Sequence, residues 1–447
     1  MPNGTASNAS EVARGECANN PWYTLATMHG DQPLIGLTPS SRELIAKNRS
    51  SWNRWIAASL TDEERYLLIS FGIPDEDLKP LDDAEKDDHL AAFNIRSNGN
   101  IMMMPSYSDV IDFSGCIFND AISFDGYIFR KANFSAAAFH NHSFFSRAIF
   151  IGDADFRWAK FTSSASFGKA IFQERADFTE AHFQLARFSH AVFRGFTLFF
   201  RTEFVGRASF DESKFYNSVI FNVAKFTYGA AFKNAEFHDR IEVINAEFAA
   251  KTEFANACFR RLVPDFRGAD MHEATEWHAA TWPPPPRDVS DARAQVYAYE
   301  RLKQEMERLK KHEDEQKFFA KELRARRGLT PILSESWFMN ILYEYTSNYG
   351  ISIVRPVAWL IVTFLGGVLF FARAPIIHGS PLSLDRAASL SFANIFSFLP
   401  YNHEIITNQL FNALSPSAKA VEVVQSVFGV VLLFLLGLGL RNRFRMK

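Results

Sequence analysis

The sequence predicts an all-β solenoid of about seven four-sided coils, followed by an α-helical neck and a two-helix transmembrane hairpin. Three observations lead there. Phenylalanine recurs on a grid of five- and six-residue steps from Phe113 to Phe266, a charged helical pattern follows a proline run, and two long apolar stretches close the chain. The chain has 447 residues and a net charge of −2, and 46 of its residues are Phe against 12 Tyr and 8 Trp. That balance does not call for nucleic acid or an acidic substrate. Three cysteines, Cys17, Cys116 and Cys258, lie far apart without metal-ligand spacing, which fits a reducing compartment. The first twenty residues have no basic segment leading into an apolar one, so no cleavable signal peptide is expected.

Residues 1–40 are rich in Asn, Ser, Gly and Pro and read as disordered. Residues 41–110 read as a helical cap with an acidic segment. A helix is expected from Ser41 to Leu60, with Leu44, Ile45, Trp52, Trp55 and Ile56 on one side. It would cover the apolar end that any solenoid must shield. Residues 61–90 are acidic and read as helix plus solvated loop.

Residues 111–268 carry the repeat. The register runs through Phe113, Phe118, Phe124, Phe129, Phe134, Phe139, Phe144 and Phe150 and continues to Phe259 and Phe266, with Val243 the one non-Phe site. Two positions before each site stands a small residue, Ala at 17 of the 29. An eleven-residue period can also mark a right-handed coiled coil. On an α-helix, however, steps of five and six turn the side chain by roughly 140° and 240°, so successive rings fall on opposite faces and no stripe forms. In extended chain, residues i−2 and i share a face. The small residue and the ring then both point inward, and the residues between sites turn a corner. Four faces close a coil, and about seven coils stacked at about 4.8 Å make a rod on the order of 30–35 Å long. Tyr127, His142 and Pro264 depart from the small-residue rule and predict local bulges or an irregular end.

The A-x-F-x-x unit, as in AKF, ASF, AIF, ADF, AHF, ARF and AVF between Ala159 and Phe193, resembles the pentapeptide-repeat family in its Phe-centred form. The resemblance implies a right-handed quadrilateral β-helix. SSWNRW is similar to the short helix that often precedes the repeats in that family, YERLKQ and FFAKELRARR to its neck segments, and YEYTSNYGISIVRPVAWL and LGLGLRNRFRMK to its membrane-bound members. Some soluble relatives imitate B-form DNA and engage DNA gyrase. That mimicry needs an acidic rod, whereas residues 113–266 hold 18 Lys and Arg against 16 Asp and Glu, so nucleic acid is not an expected partner.

Residues 283–328 read as a stiff proline linker, Trp282 to Pro286, and a helical neck. Leu302, Met306 and Leu309 keep helical spacing, His312–Gln316 interrupts it, and Phe318, Phe319 and Leu323 resume it. One long helix or a hairpin turning near His312 satisfies this pattern. Its role is a spacer with a solvated face or an oligomerising coiled coil.

Residues 336–447 form the membrane region, with spans near 351–372 and 421–440 that meet the length of a bilayer about 30 Å thick. Arg324, Arg326, Arg327 and Arg355 precede or open the first span, and Arg441, Arg443, Arg445 and Lys447 follow the second. The positive-inside rule then puts the rod and the C-terminus in the cytoplasm, in an inner-membrane, multi-pass protein. Trp359, Tyr343, Tyr345 and Tyr349 are candidate interface anchors. Leu390–Pro400 is apolar enough to re-enter the membrane, the layout of a pore-loop channel. A potassium filter needs closely spaced backbone carbonyls from a glycine-bearing loop. Between Ala374 and Lys419 the only glycine is Gly379, so no such filter is expected.

No catalytic, cofactor-binding or metal-ligating residue is singled out. His140 and His142, Asp153 and Asp155, and Glu174 and Asp177 read as lattice or surface residues, and no P-loop, nucleophile elbow, HExxH or paired CxxC occurs. The expected function is a non-enzymatic, membrane-anchored scaffold or interaction module, with the lipid bilayer, an unknown cytoplasmic protein and another copy of the chain as partners. The alternative is an oligomeric pore or sensor; an enzyme with residues on one solenoid face is a third, weaker reading.

Overall fold

The computed structural model describes residues 17–32, 39–97, 102–286, 288–373, 382–399 and 414–445. The chain forms two compact units, Met1–Pro284 and Pro285–Lys447.

The first unit is a β-solenoid of about seven coils. Its four faces begin with the strands Ile111–Asp112 (face I), Ile117–Phe118 (face II), Ile122–Ser123 (face III) and Ile128–Phe129 (face IV), and strands on each face pair in parallel from coil to coil. Lys160–Ser166 and His182–Arg187 run on across the corner between faces II and III and join them into one 12-stranded sheet. Rings stack along each face. Phe134 lies 4.9 Å above Phe156 at 2°, and Phe150 lies 4.7 Å above Phe172 at 1°. Within a coil, rings on different faces meet edge to face, as Phe156 and Phe167 do at 5.4 Å and 89°. Each fully buried ring contributes about 1.5–3 kcal/mol. The small i−2 residues, such as Ala154, Ala165 and Ala170, are fully buried beside them.

The alternation of fives and sixes has a backbone cause. Every core residue of faces I and III is followed two positions later by a residue with positive φ: Gly115, Gly126, Ala136, Arg147, Trp158 and so on to Asn256, Gly268 and Ala279. A backbone hydrogen bond closes the turn, as from Cys116 N–H to Phe113 O at 3.1 Å. After this tight turn the next core residue is always five away. The other two corners take five, six or, between Phe259 and Phe266, seven.

Three sequence expectations are corrected here. The core site predicted at Phe144 is Phe145, which is fully buried and stacks on Phe124 and Phe167, while Phe144 is half-buried on the outer side. The small residue two positions earlier is then Ser143, also fully buried, and His142 is exposed rather than in the lattice. The solenoid does not stop at 268. An eighth rung, held by the bridges Glu242–Asp265, Glu247–Asp270, Glu253–Glu276 and Cys258–Thr281, carries the core residues Phe266, Met271 and Trp277 and the half-buried Trp282. Trp277 stacks on Phe254 at 4.4 Å, and Trp282 lies 5.0 Å from Phe259. Trp282 therefore ends the rod rather than opening a linker. The bare bridges at Pro264 and beyond are the irregular end that the sequence predicts.

The third correction is to the N-terminal 40 residues. Residues 1–16 and 33–38 lie outside the described residues, but residues 17–32 are ordered on the rod. Helix α1 (Pro21–Ala26) buries Trp22 and Leu25, because the apolar run PWYTLATM gains more by covering the first coil than by solvation. Helix α2 (Pro39–Ala57) lays Trp52 between Tyr127 and Phe129, at 5.5 and 5.6 Å. Side-chain groups of this cap take the place of a preceding coil. Asn53 donates to Gly126 O at 3.0 Å and accepts from Ile128 N–H at 2.9 Å, and Trp52 Nε1 donates to Ile128 O at 2.8 Å. Gln32 accepts from Ser123 N–H and Asn20 donates to Asp112 O, both at 2.8 Å. Helices α3 (Asp62–Ser70) and α4 (Asp83–Arg96) complete the acidic segment, each opened by a capping box. Near α3, Glu64 pairs with Arg130 and the Phe71 ring lies under the Arg194 guanidinium.

The second unit begins with an antiparallel pair, α5 (Val289–Arg308) and α6 (His312–Arg326), so the neck is a hairpin turning at Lys310, whose φ is 57°. Tyr299, Leu302 and Met306 of α5 and Phe318, Ala320 and Ala325 of α6 are buried. Glu322 is also buried, accepting from Lys303 Nζ at 2.6 Å and from Arg326 Nε at 2.9 Å. Next come α7 (Glu335–Ser347), α8 (Val354–Phe371), α9 (Leu384–Ile395) and α10 (Pro416–Arg445). Two helices are long and apolar enough to cross a membrane, Val354–Phe371 and Pro416–Phe444, with mean hydropathy 1.9 and 2.4. The second is longer than the expected 421–440: the helix takes in Ser417–Ala420 before the span and Arg441 and Arg443 after it, because none of these residues breaks a helix.

Candidate functional site: the rod surface and the long apolar helices

Residues just before each face I core position form an outward column: Asp112, Asn133, Asp155, Asp177, Leu198, Ile220, Glu242 and Asp265. The first four have a structural task. Each side chain accepts the N–H two residues on, at 2.9–3.0 Å, which sets the tight corner. Asp155 and Asp177 also pair with Arg157 and Arg175, both at 2.6 Å, and with Lys131 and Asp153 they line a shallow groove of about 340 Å³. Glu174 is exposed beside it. Farther along, face I turns apolar: Phe196, Ile220 and Leu262 line a second groove of about 350 Å³, rimmed by Asp239, Arg240 and Arg261.

Charge on the other faces is neutralised between neighbouring coils. Glu236 meets Arg260 at 2.8 Å and Lys214 at 3.0 Å, and these hydrogen bonds hold its carboxyl down at about 2. Glu253 gathers Lys233, Lys251 and Arg207. Burial pushes its carboxyl up, but those cations outweigh burial and keep it below the usual range. No single-sign stripe runs down the rod. His140 is exposed, and His142 Nδ1 lies 3.0 Å from Ser163 Oγ; the two are not joined with a third ligand. Among the described residues, no group of three or more His, Cys, Asp or Glu side chains could hold a metal ion. Sequence separation hides one contact: Cys17 and Cys116 are hydrogen-bonded thiols, and burial raises the Cys17 pKa.

The pair of long apolar helices has a polar centre. Helix α9 packs against α8 and α10 rather than standing outside them. Gln425 Nε2 donates to Ser391 Oγ at 2.6 Å and to Thr363 O at 3.1 Å, Ser391 donates to Phe364 O at 2.9 Å, and Asn394 Nδ2 donates to Gln425 Oε1 at 3.1 Å. Gly429 permits this approach, since a Cβ there would lie 2.8 Å from Ile395 Cα. Val368, Phe371, Leu382, Ala387, Leu390, Leu414 and Ala418 form the apolar core beside it. Leu390–Ile395, the first part of the predicted re-entrant segment, is thus wedged against the middle of both long helices; Pro400 lies outside the described residues. Glu422 and Asn394 each bury an oxygen, Oε2 and Oδ1, without a hydrogen-bond partner among the described residues.

A second network ties the neck to this hairpin. Glu344 of α7 accepts from Arg324 Nε at 2.7 Å and from Arg327. Burial raises the Glu344 pKa, but the two guanidinium groups outweigh it and the net direction is down. Arg327 also donates to Tyr349 Oη at 2.8 Å, Tyr349 donates to Asn340 at 2.8 Å, and Asn442 of α10 donates to Gly350 O at 3.1 Å. No family model, no curated protein and no solved structure matches this chain.

Proposed function

We propose that the chain is a pentapeptide-repeat protein that acts as a non-enzymatic, membrane-anchored scaffold, displaying its β-solenoid to a protein partner in the cytoplasm. The observation that supports this reading best is a stiff ladder of stacked rings in the same chain as two apolar helices. Between its tight turns the ladder fixes the spacing of outward side chains at one coil per step, and its ion pairs neutralise one another. Such a surface suits docking better than attraction of a polyanion. The apolar groove at Phe196, Ile220 and Leu262 is the stretch best fitted to a protein partner. Basic residues before α8 and after its partner span favour a cytoplasmic rod in an inner membrane.

A pore or sensor is the second reading, favoured by the seating of α9 between the two long helices. Light scattering on the detergent-solubilised chain, with and without residues 285–447, separates the two. A defined oligomer that becomes monomeric on truncation favours the pore, and conductance in a planar bilayer then decides it. A monomeric full chain, or a rod that still assembles without the hairpin, favours the scaffold.

A further inference from the structure

We infer that α7 is a third membrane element, an amphipathic helix lying in the headgroup–acyl boundary of an anionic bilayer; this rests on the membrane-anchored reading above. The two sides of α7 differ sharply. Asn340 and Glu344 face the neck, in the network with Arg324, Arg327 and Tyr349. The opposite side and the segment leading into it are apolar and open: Ile332 is 78% exposed, Leu333 83%, Phe338 58% and Tyr345 63%. Phe338, Leu342 and Tyr345 stand at i, i+4 and i+7, one stripe of a helix.

The depth of α7 is set by α8. Arg355 Nη1 donates to Glu344 O at 2.7 Å, and Trp359 Nε1 donates to Tyr345 O at 3.3 Å, so the end of α7 lies beside the first two turns of the span. Trp359 and Val362, on the side of α8 that meets α7, are themselves exposed, so the open stripe adjoins apolar surface of the span. At 13 residues, about 20 Å, and with Asn340 and Glu344 on one side, α7 is too short and too polar to cross. It has the composition of a helix that lies in the interface. Arg355, Arg441 and Arg443 are exposed at the ends of the two spans that meet α7, the charge an anionic headgroup layer complements. Through Glu344, insertion of this helix is coupled directly to the neck.

Spin labels on the full chain in vesicles of phosphatidylcholine and phosphatidylglycerol test this. Labels go at Phe338→Cys, at Ser336→Cys and, as a reference in the span, at Val424→Cys, each in a Cys258→Ser background, since Cys17 and Cys116 are buried. The expected result is relaxation by dissolved oxygen at 338 and 424 and by an aqueous nickel chelate at 336. If nickel relaxes 338 while 424 remains in lipid, α7 lies in water: the inference is overturned and the anchor stands. If neither reagent reaches 338, protein covers the stripe, which overturns it in favour of a second chain. If nickel also relaxes 424, the membrane reading fails and takes this inference with it.

Discussion

Val223 occupies a tight corner at φ 60° with a branched Cβ, where the next three such corners along the chain hold Asn234, Asn245 and Asn256. A left-handed conformation costs an ordinary L-residue about 1–2 kcal/mol, and Asn tolerates it better than most. Val223→Asn should therefore stabilise the rod by about 1 kcal/mol, read as a higher thermal midpoint of the solubilised chain; an unchanged midpoint would show that the corner carries no strain. Glu236 supplies a pH signature. Its folded pKa, about 2, lies below the ordinary 4.5, so the stability it confers is complete above about 4.5 and is lost as pH falls toward 2. Because the group is partly solvated, the effect should be modest, about 1 kcal/mol. In Glu236→Gln the fall in stability across that window should be shallower, and equal slopes in the two proteins would refute the pairing. The Phe144–Phe145 doublet shows what the sequence hid at this scale. Five-residue counting selects Phe144, but the small residue Ser143 and the turn residue Arg147 both belong to a ring at 145. Two weaker rules together outweigh the stronger one.

Among the elements, the cap is held by few groups. Asn53→Ala leaves Gly126 O and Ile128 N–H without partners and should cost about 2–4 kcal/mol. Asn53→Asp keeps the acceptor for Ile128 N–H but buries a carboxylate against Gly126 O and should cost at least as much; an unchanged denaturant midpoint in Asn53→Ala would remove the capping role. In the hairpin, Gly429→Val drives a side chain into the α9 backbone and should destabilise the solubilised protein by about 1–3 kcal/mol. If its thermal midpoint matches the parent, α9 is not seated as described. The solenoid, the helical neck and the two apolar helices were legible because each depends on a periodicity or on length. The eighth rung was obscured by counting phenylalanine alone: A-x-M, T-x-W and A-x-W keep the same small-residue spacing through Met271, Trp277 and Trp282. The ordered N-terminal segment was obscured by average composition, which dilutes one apolar run with its polar neighbours. The seat of α9 depends on Gln425 meeting Ser391 and Asn394, more than thirty residues away, and no local pattern announces such a contact.

At the scale of the whole molecule, a solenoid is stabilised by neighbours on either side, so its ends are weaker than its middle. Helices and side-chain amides shield the first coil, whereas isolated bridges hold the eighth rung. Hydrogen exchange should accordingly be slowest in coils that include Lys160–Ser166 and His182–Arg187, and fastest within the rod at residues 265–282. Uniform exchange along the rod would mean that it opens as a single unit. The seven coils also confine one whole-chain property to particular places. Wherever a left-handed residue makes the corner, the count to the next ring never varies, while the other two corners already accept five, six or seven residues. Chain length can thus change at alternate corners without moving any ring. A tag, a protease site or a foreign loop inserted there, for example between Phe259 and Phe266, would be carried on the outside of an otherwise unaltered stack, whereas one extra residue at an intervening corner would throw every later ring out of its column.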